Sequence, residues 1–282
     1  MLVRTKAKTD QMRYHNILKC KALRSEESGL LFCSKCREPR QKRVKVLGQL
    51  FEPRVMCRCQ RQIAAQQVQA QEHQKALFRV ARNRRDGLPD PELWNYTFEN
   101  DLGYNPKQMK MALNYVANWE EFRKSSMGLL LWGDVGTGKS FIAGCIANAL
   151  LDRGVPVMMT NFTRDLNRMT DMYSGSRNAY IDSFRSYQLL IIDDLGVERN
   201  SEFAQEQVFN IIDGRYRSQL PMIVTTNLTI EELKNPQDTT RARIYSRVME
   251  RCTPIRVNDQ NIRKLNAAAN MDKAKILLEE KQ

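Results

Sequence analysis

The chain has 282 residues, 42% of them hydrophobic, and a formal net charge of +13. That hydrophobic share supports a packed core and excludes a globally disordered chain. The longest apolar runs, such as "LLII" at 189–192, fall far short of the roughly 20 residues that a membrane-spanning helix needs.

The basic start "MLVRTKAKTD" has no apolar stretch behind it, so the expectation is a cytoplasmic protein with no secretory signal and no membrane partner. Residues 1–90 hold 21 Lys and Arg against 8 Asp and Glu, whereas residues 91–282 hold 24 of each. The whole charge excess therefore sits in the N-terminal third. Such a block points to nucleic acid, to an acidic protein face, or to a solvated basic arm.

Residues 1–30 are polar and basic with no clear period. Residues 31–60 carry short alternating stretches such as "RVKVLGQLF", which predict small strands. Residues 60–85 are rich in Gln, Ala and Arg and lack Gly and Pro, which predicts a solvated helix. The breakers "DGLPDPE" at 86–92 mark a boundary. The expected division is a basic docking domain at 1–62, a helical linker at 63–92 and a larger domain at 93–282.

From residue 93 the pattern alternates helices with apolar strands. "MKMALNYVANWEEF" (109–122) repeats apolar residues at helical spacing. "GLLLW", "VPVMMTN", "LLIIDD", "PMIVTTN" and "TPIRV" read as five strands, separated by helical segments, with a helical tail from Asn261. This alternation predicts an α/β fold with a parallel five-stranded sheet covered by helices on both faces.

Between the first of these strands and the helix after it lies "GDVGTGKS" (133–140), which fits the phosphate-binding loop pattern G-x-x-x-x-G-K-[ST]. The expected nucleotide-binding set is Gly133, Asp134, Val135, Gly136, Thr137, Gly138, Lys139, Ser140 and Phe141. The glycines free the backbone to wrap phosphates, and the helix directs its positive end at the same anion. Lys139 reaches the β- and γ-phosphates and the Ser140 hydroxyl holds magnesium.

"LLIIDD" delivers two carboxylates to the same crevice. Asp193 would anchor magnesium, and Asp194 would act as the general base on the attacking water. "IVTTN" ends in polar residues, of which Asn227 would orient the lytic water or contact the γ-phosphate. "NLTIEEL" reads as a helix start capped by Thr229.

The seven cysteines are an odd number, which argues against a disulfide framework. Cys33-x2-Cys36 and Cys57-x-Cys59 bring four thiols together, a spacing that suits tetrahedral zinc. Cys20 could replace one ligand, and His15 is a more distant alternative. A segment so poor in apolar residues would need the metal to fold.

From about Tyr96 to Leu278 the sequence resembles the DnaC/IstB branch of AAA+ ATPases, which comprises helicase loaders and transposition helpers. The resemblance rests on "YTFEN", "GLLLWGDVGTGKSFIAGCIANALLDRGVPV", "LLIIDDLGVE", "IVTTN" and "RIYSRVMERCTPIRV", in the family's order and spacing. It implies that the polar-ended sensor strand lies between the loop strand and the carboxylate strand. It also implies that Arg247 is the finger reaching the ATP of a neighbouring subunit, with Arg243 as fallback. Arg263 would be the lid arginine sensing the γ-phosphate in cis, although "DQNIR" departs from the family's usual lid segment. Arginine suits both tasks, being always charged and able to fork onto phosphate oxygens.

A finger supplied in trans implies self-association. The Asp-Asp pair, where many AAA+ proteins carry Asp-Glu, implies slow, assembly-dependent ATP hydrolysis. Some loaders of this family carry a zinc-bearing N-terminal domain that docks on the helicase, and the cysteine cluster is similar in placement. The leading expectation is an ATP-dependent loader of a replicative helicase hexamer. Its single-stranded DNA contacts would come from Phe162, Arg164, Arg168, Tyr173, Arg177 and Arg185, where cations and rings mix, if that stretch is more than a solvated face. The alternatives are an IstB-like transposition helper on duplex DNA and a nucleotide-gated DNA-binding regulator.

Overall fold

The computed structural model describes residues 20–197, 201–257 and 260–279. The chain divides into two compact units between Phe78 and Arg79. That point lies inside a continuous helix, between the expected boundaries at 62 and 92.

The first unit is built on two small antiparallel hairpins. β1 (Ala22–Arg24) pairs with β2 (Leu31–Cys33), setting Ala22 opposite Cys33, and β3 (Val44–Val46) pairs with β4 (Gln49–Phe51). Leu47 (φ 48°) and Gly48 (φ 82°) make the two-residue left-handed turn that matches the twist of a hairpin. β1 arises from the stretch that shows no period, because three residues are too few to display alternation. The buried centre of this unit consists of sulfur: Cys20, Cys33 and Cys57 are buried, with Cys36 and Cys59 packed against them.

Helix α1 (Arg58–Gly87) runs for 30 residues and ends where the sequence breakers begin. Its last turns belong to the second unit. Leu88 is fully buried there, and Arg84 pairs with Asp152. A Cβ on Gly87 would lie 1.8 Å from the Val157 carbonyl oxygen, so only glycine allows this approach.

Two 3₁₀ turns (Pro91–Asn95 and Phe98–Asn100) lead into α2 (Pro106–Ala117) and α3 (Trp119–Lys124). The single helix expected over 109–122 is thus two. Asn118 separates them: it leaves helical geometry, and its amide donates to the Asn114 carbonyl, the local competition that Asn offers a helix.

Then follow β5 (Gly128–Trp132), α4 (Lys139–Asp152), β6 (Val157–Asn161), α5 (Phe162–Thr170), α6 (Ser174–Ser183), β7 (Leu189–Leu195), α7 (Glu202–Arg217), β8 (Met222–Thr226), α8 (Ile230–Lys234), α9 (Thr239–Arg251), β9 (Cys252–Arg256) and α10 (Ile262–Glu279). Thr229 and Glu232 form a reciprocal capping box at the start of α8.

The sheet is parallel, in the order β6-β7-β8-β5-β9, and β8 lies between the loop strand and the carboxylate strand as expected. Its strands alternate between two cores. Leu129, Leu131, Leu189, Ile191 and Ile223 pack on one face with α2 and α4. Leu130, Leu190, Ile192, Met222 and Val224 pack on the other with α5, α7 and α9. Burial on both faces explains the unbroken apolar runs.

On α7, Arg215 is 2% exposed. Its guanidinium donates to the carbonyls of Phe184, Tyr187, Gln188 and Pro221, joining the segment before β7 to the segment before β8. Its charge is tolerable because its donors meet carbonyl oxygens.

Candidate functional site

The nucleotide site forms where β5 turns into α4. Gly133 (φ 142°), Gly136 (φ 82°) and Gly138 (φ 97°) take conformations that side chains resist. Gly138 is the N-cap of α4, so the loop amides and the positive helix end converge on one point. Lys139 is buried, and its ammonium donates to the carbonyls of Gly133 (2.8 Å) and Asp134 (2.7 Å). Burial pulls its pKa down, against the nearby Asp194, Asp193 and Asp134 carboxylates.

Beside the loop is a cleft of about 490 Å³, within the usual range for small-molecule sites. Val135, Gly136, Thr137, Gly138, Lys139, Ser140, Phe141, Asp194, Asn227 and Arg263 all line it. Gly133 and Asp134 contribute through the carbonyls that hold Lys139.

Asp193 sits just behind the cleft. It accepts hydrogen bonds from the Ser140 hydroxyl (2.9 Å) and the Thr225 hydroxyl (2.6 Å). Burial raises its pKa, and these two hydroxyls oppose the rise. Ser140 and Asp193 thus present hard oxygen donors side by side, the donor type that suits magnesium.

Asp194 is left-handed, at φ 59°. The pairing of β7 with β8 shifts register between Ile192 and Leu195, and this irregularity turns Asp194 into the cleft. Aspartate tolerates such a φ better than most residues. Its N–H donates to Thr225 Oγ1 at 2.9 Å, so one buried threonine holds both carboxylate residues.

Arg263 reaches the cleft because the start of α10 is tied to the loop. The Ile262 N–H donates to the Gly136 carbonyl (2.9 Å), and Asn261 Nδ2 donates to the Val135 carbonyl (3.0 Å). Asn261 and Ile262, within the stretch that departs from the family's lid pattern, are therefore the tether that brings Arg263 to the site.

Arg247 is not in the cleft. It lies on α9 and pairs with Asp213 of α7 at 2.9 Å. Arg243 lies four residues earlier and covers the Phe209 ring at 4.5 Å.

The opposite wall of the cleft escapes motif reading. It comes from the irregular segment before α2, chiefly Glu92, Tyr96, Leu102, Tyr104 and Asn105, and from Met109 in the first turn of α2. Tyr96 packs against Phe141 at 5.3 Å between ring centroids, and buried Asn105 donates to the Thr137 carbonyl at 2.9 Å. Within this wall only "YTFEN" carries a signal, as part of the family resemblance.

The proposed DNA-contact set divides. Phe162 is 1% exposed and packs in the sheet core, so it cannot stack on a base. Asn161 caps α5, which fixes Phe162 as the first helical residue, facing inward. Tyr173, in contrast, is 88% exposed between α5 and α6. Arg164 pairs with Asp90 and Arg185 with Asp182, while Arg168 covers the Tyr180 ring and Arg177 the Phe203 ring.

In the first unit, the sulfurs of Cys20, Cys33, Cys57 and Cys59 all lie within 4.8 Å of one another. This quartet fits zinc in donor type and number. It differs from the set read from spacing: Cys20 takes the place of Cys36, because the pairing of β1 with β2 carries the start of β1 alongside Cys33. Cys36 still packs against the group. His15 lies outside the described residues. No described helix is long and apolar enough to cross a membrane.

The match to the family described as IstB-like ATP binding protein covers residues 55–269. The chain belongs to this family. Its sheet order and loop are those of the AAA+ P-loop fold, and an IstB-like protein of this kind is a member of an ATPase family. Over 145 residues the chain is 29% identical to the replicative helicase loader DnaC of Escherichia coli (strain K12), covering 49% of this chain and 58% of that protein. Over 189 residues it is 25% identical to the replicative helicase loader DnaI of Bacillus subtilis (strain 168), covering 61% of this chain and 60% of that protein. The chain thus spans about three-fifths of the curated relatives it matches. A crystal structure of DnaI superposes with a TM-score of 0.52 at 24% identity, over 60% of this chain and 94% of that one, a likeness of fold.

Proposed function

We propose that this IstB-like protein is an ATP-dependent loader of a replicative helicase hexamer, acting in the cytoplasm during the initiation of DNA replication. The observation that carries this reading is the convergence of Lys139, Ser140, Asp194, Asn227 and Arg263 on one cleft, in a chain similar to proteins named replicative helicase loaders. The cysteine-bearing unit, held by zinc, docks on the helicase. The AAA+ unit binds ATP with magnesium and grips single-stranded DNA.

Each residue has a task that its position supports. The loop amides and Lys139 bind the β- and γ-phosphates, and Lys139 exchanges its bonds to Gly133 and Asp134 for phosphate oxygens. Ser140 and Asp193 would hold magnesium, which would supply positive charge against the charge developing on the phosphates. Asp194 takes a proton from the attacking water while Asn227 orients that water. Arg263 contacts the γ-phosphate from within the subunit, and Arg247 completes the site of a neighbouring copy. Turnover is slow and depends on assembly, as befits a timing switch.

Co-purification with the replicative helicase from the same genome tests the reading. Intact protein with ATP should retain the hexamer, and Cys57→Ala should not. Absence of binding in every nucleotide state would favour the second reading, a transposition helper, which draws support from the IstB-like family match. Duplex DNA with a transposase would then be the stimulating partner.

A further inference from the structure

Zinc takes four thiolates, yet five thiols meet in the first unit. Cysteine spacing selects Cys36 as the partner of Cys33, whereas the mutually close quartet contains Cys20 instead. Both selections rest on the same three remaining residues, Cys33, Cys57 and Cys59.

The contacts of the two extra thiols overlap. The Cys20 sulfur lies within 4.8 Å of those of Cys33, Cys57 and Cys59. Cys36 packs against the buried group of Cys20, Cys33 and Cys57. Their backbones are tethered to the same anchor from opposite directions in sequence. Cys20 lies two residues before Ala22, the first residue of β1, which pairs with Cys33, and its carbonyl is held by Arg40 at 2.8 Å. Cys36 follows Cys33 in a tight turn closed by Arg37, whose N–H donates to the Cys33 carbonyl at 3.0 Å and whose φ is 59°.

Sulfurs at the ordinary zinc–sulfur distance of about 2.3 Å stand about 3.8 Å apart in a tetrahedron. The quartet spans at most 4.8 Å, so closing it on a metal requires only a small contraction. The fifth thiol then stays beside the site with no coordination position.

We infer that Cys20 and Cys36 are interchangeable fourth ligands around a fixed Cys33–Cys57–Cys59 triangle. This rests on the zinc reading of the first unit. When one thiolate leaves the metal and the other joins it, one sulfur–metal bond breaks as one forms. The joining thiol releases its proton to solvent and the leaving thiolate takes one up. Cys20 is buried and Cys36 is half-buried, so the thiol outside the metal shell of the resting protein is the accessible Cys36. The site can therefore be modified at Cys36 without losing its metal.

The test measures bound zinc in the full-length protein, with four variants: Cys20→Ala, Cys36→Ala, the double variant and Cys57→Ala. Each single change at Cys20 or Cys36 should keep zinc at the wild-type level under a competing chelator. The double variant and Cys57→Ala should lose it. Cobalt substitution should give a four-thiolate absorption spectrum in both single variants. Iodoacetamide on the zinc-loaded wild type should label Cys36 with zinc retained, a readout that needs no variant to fold. Loss of zinc from either single variant as complete as in Cys57→Ala would overturn the inference by making that cysteine obligatory. Retention by the double variant, or labelling of Cys36 only as zinc leaves, would overturn it too. A wild-type protein that binds no zinc would sink the zinc reading itself, an outcome distinct from these.

Discussion

Arg247 of α9 forms a 2.9 Å ion pair with Asp213 of α7. Its guanidinium also lies over Phe209 (5.0 Å) and Tyr216 (5.6 Å), between Arg243 over Phe209 and Arg251 over Tyr216. Three arginines spaced four apart thus zip one helix onto the aromatic and acidic face of the other. An arginine held this way must leave Asp213 before it can reach a neighbouring active site.

Arg247→Ala should lower the ATPase of assembled protein by about 10³-fold or more while leaving nucleotide affinity of the monomer unchanged. Asp213→Asn keeps the size and removes the charge. Asp213 also pairs with Arg217 at 2.7 Å, so its hold on Arg247 is shared. With that hold taken as about 1 kcal/mol, freeing the arginine should raise DNA-stimulated turnover about fivefold. Steady-state rates over a protein-concentration series check both. A fall in rate with Asp213→Asn would mean that the pair aims Arg247 rather than restrains it.

Asp194→Asn separates binding from chemistry. Asparagine adopts φ near +60° as readily as aspartate, so fold and ATP affinity should persist. Hydrolysis should drop about 100-fold or more with the base gone. Lys139→Ala should instead abolish ATP binding, which titration calorimetry would register as absent heat. Equal loss of affinity in both variants would contradict these assignments.

Asp165 is 1% exposed, accepts hydrogen bonds from the Thr160 and Tyr180 hydroxyls at 2.8 Å each, and leaves its second oxygen without a hydrogen bond. Burial raises its pKa above the ordinary 3.8, against those two bonds and the neighbouring arginines. The folded state then binds the proton more tightly than the unfolded state. This group's contribution to stability therefore falls as pH rises from about 3.8 through the raised value. Asp165→Asn keeps an acceptor for both hydroxyls and should remove that fall. Urea midpoints measured across this pH range, wild type against variant, decide it. Parallel curves would show that the carboxyl does not titrate differently on folding.

Arg215→Ala would remove the donor from four carbonyls, those of Phe184 and Pro221 in buried bonds and those of Tyr187 and Gln188 in part-buried ones. The cost should be about 3–5 kcal/mol, and Arg215→Lys should recover only part of it because an ammonium cannot fork to all four. Denaturant unfolding of the two variants provides the measure. A loss under about 1 kcal/mol for the alanine variant would mean that water replaces the guanidinium.

The phosphate loop and the Asp193–Asp194 pair are legible in sequence because each sits at the end of an apolar strand buried on both faces, which forces its polar end into the crevice. The wall opposite has no period to read, since it comes largely from 3₁₀ turns and loop: Tyr96 is legible only through the resemblance carried by "YTFEN", and Asn105 not at all. Phe162 reads like a stacking aromatic because sequence shows its arginine neighbours and not its direction. One capping bond, from the Arg164 N–H to Asn161, sets that direction inward. Cys20 is missed by knuckle spacing because strand pairing, not proximity in sequence, brings it to Cys33. Arg215 resembles any basic residue near a helix end, and only the converging carbonyls of distant segments distinguish it.

The measurement that bears most directly on the central claim is transfer of the replicative helicase hexamer from the same genome onto closed circular single-stranded DNA. Transfer should require this protein and ATP. Lys139→Ala should abolish it, and Asp194→Asn should leave the hexamer on DNA with this protein still attached. A helicase that gains no access to the circle in any nucleotide state, alongside an ATPase stimulated only by duplex DNA, would contradict a loader and point to the transposition helper.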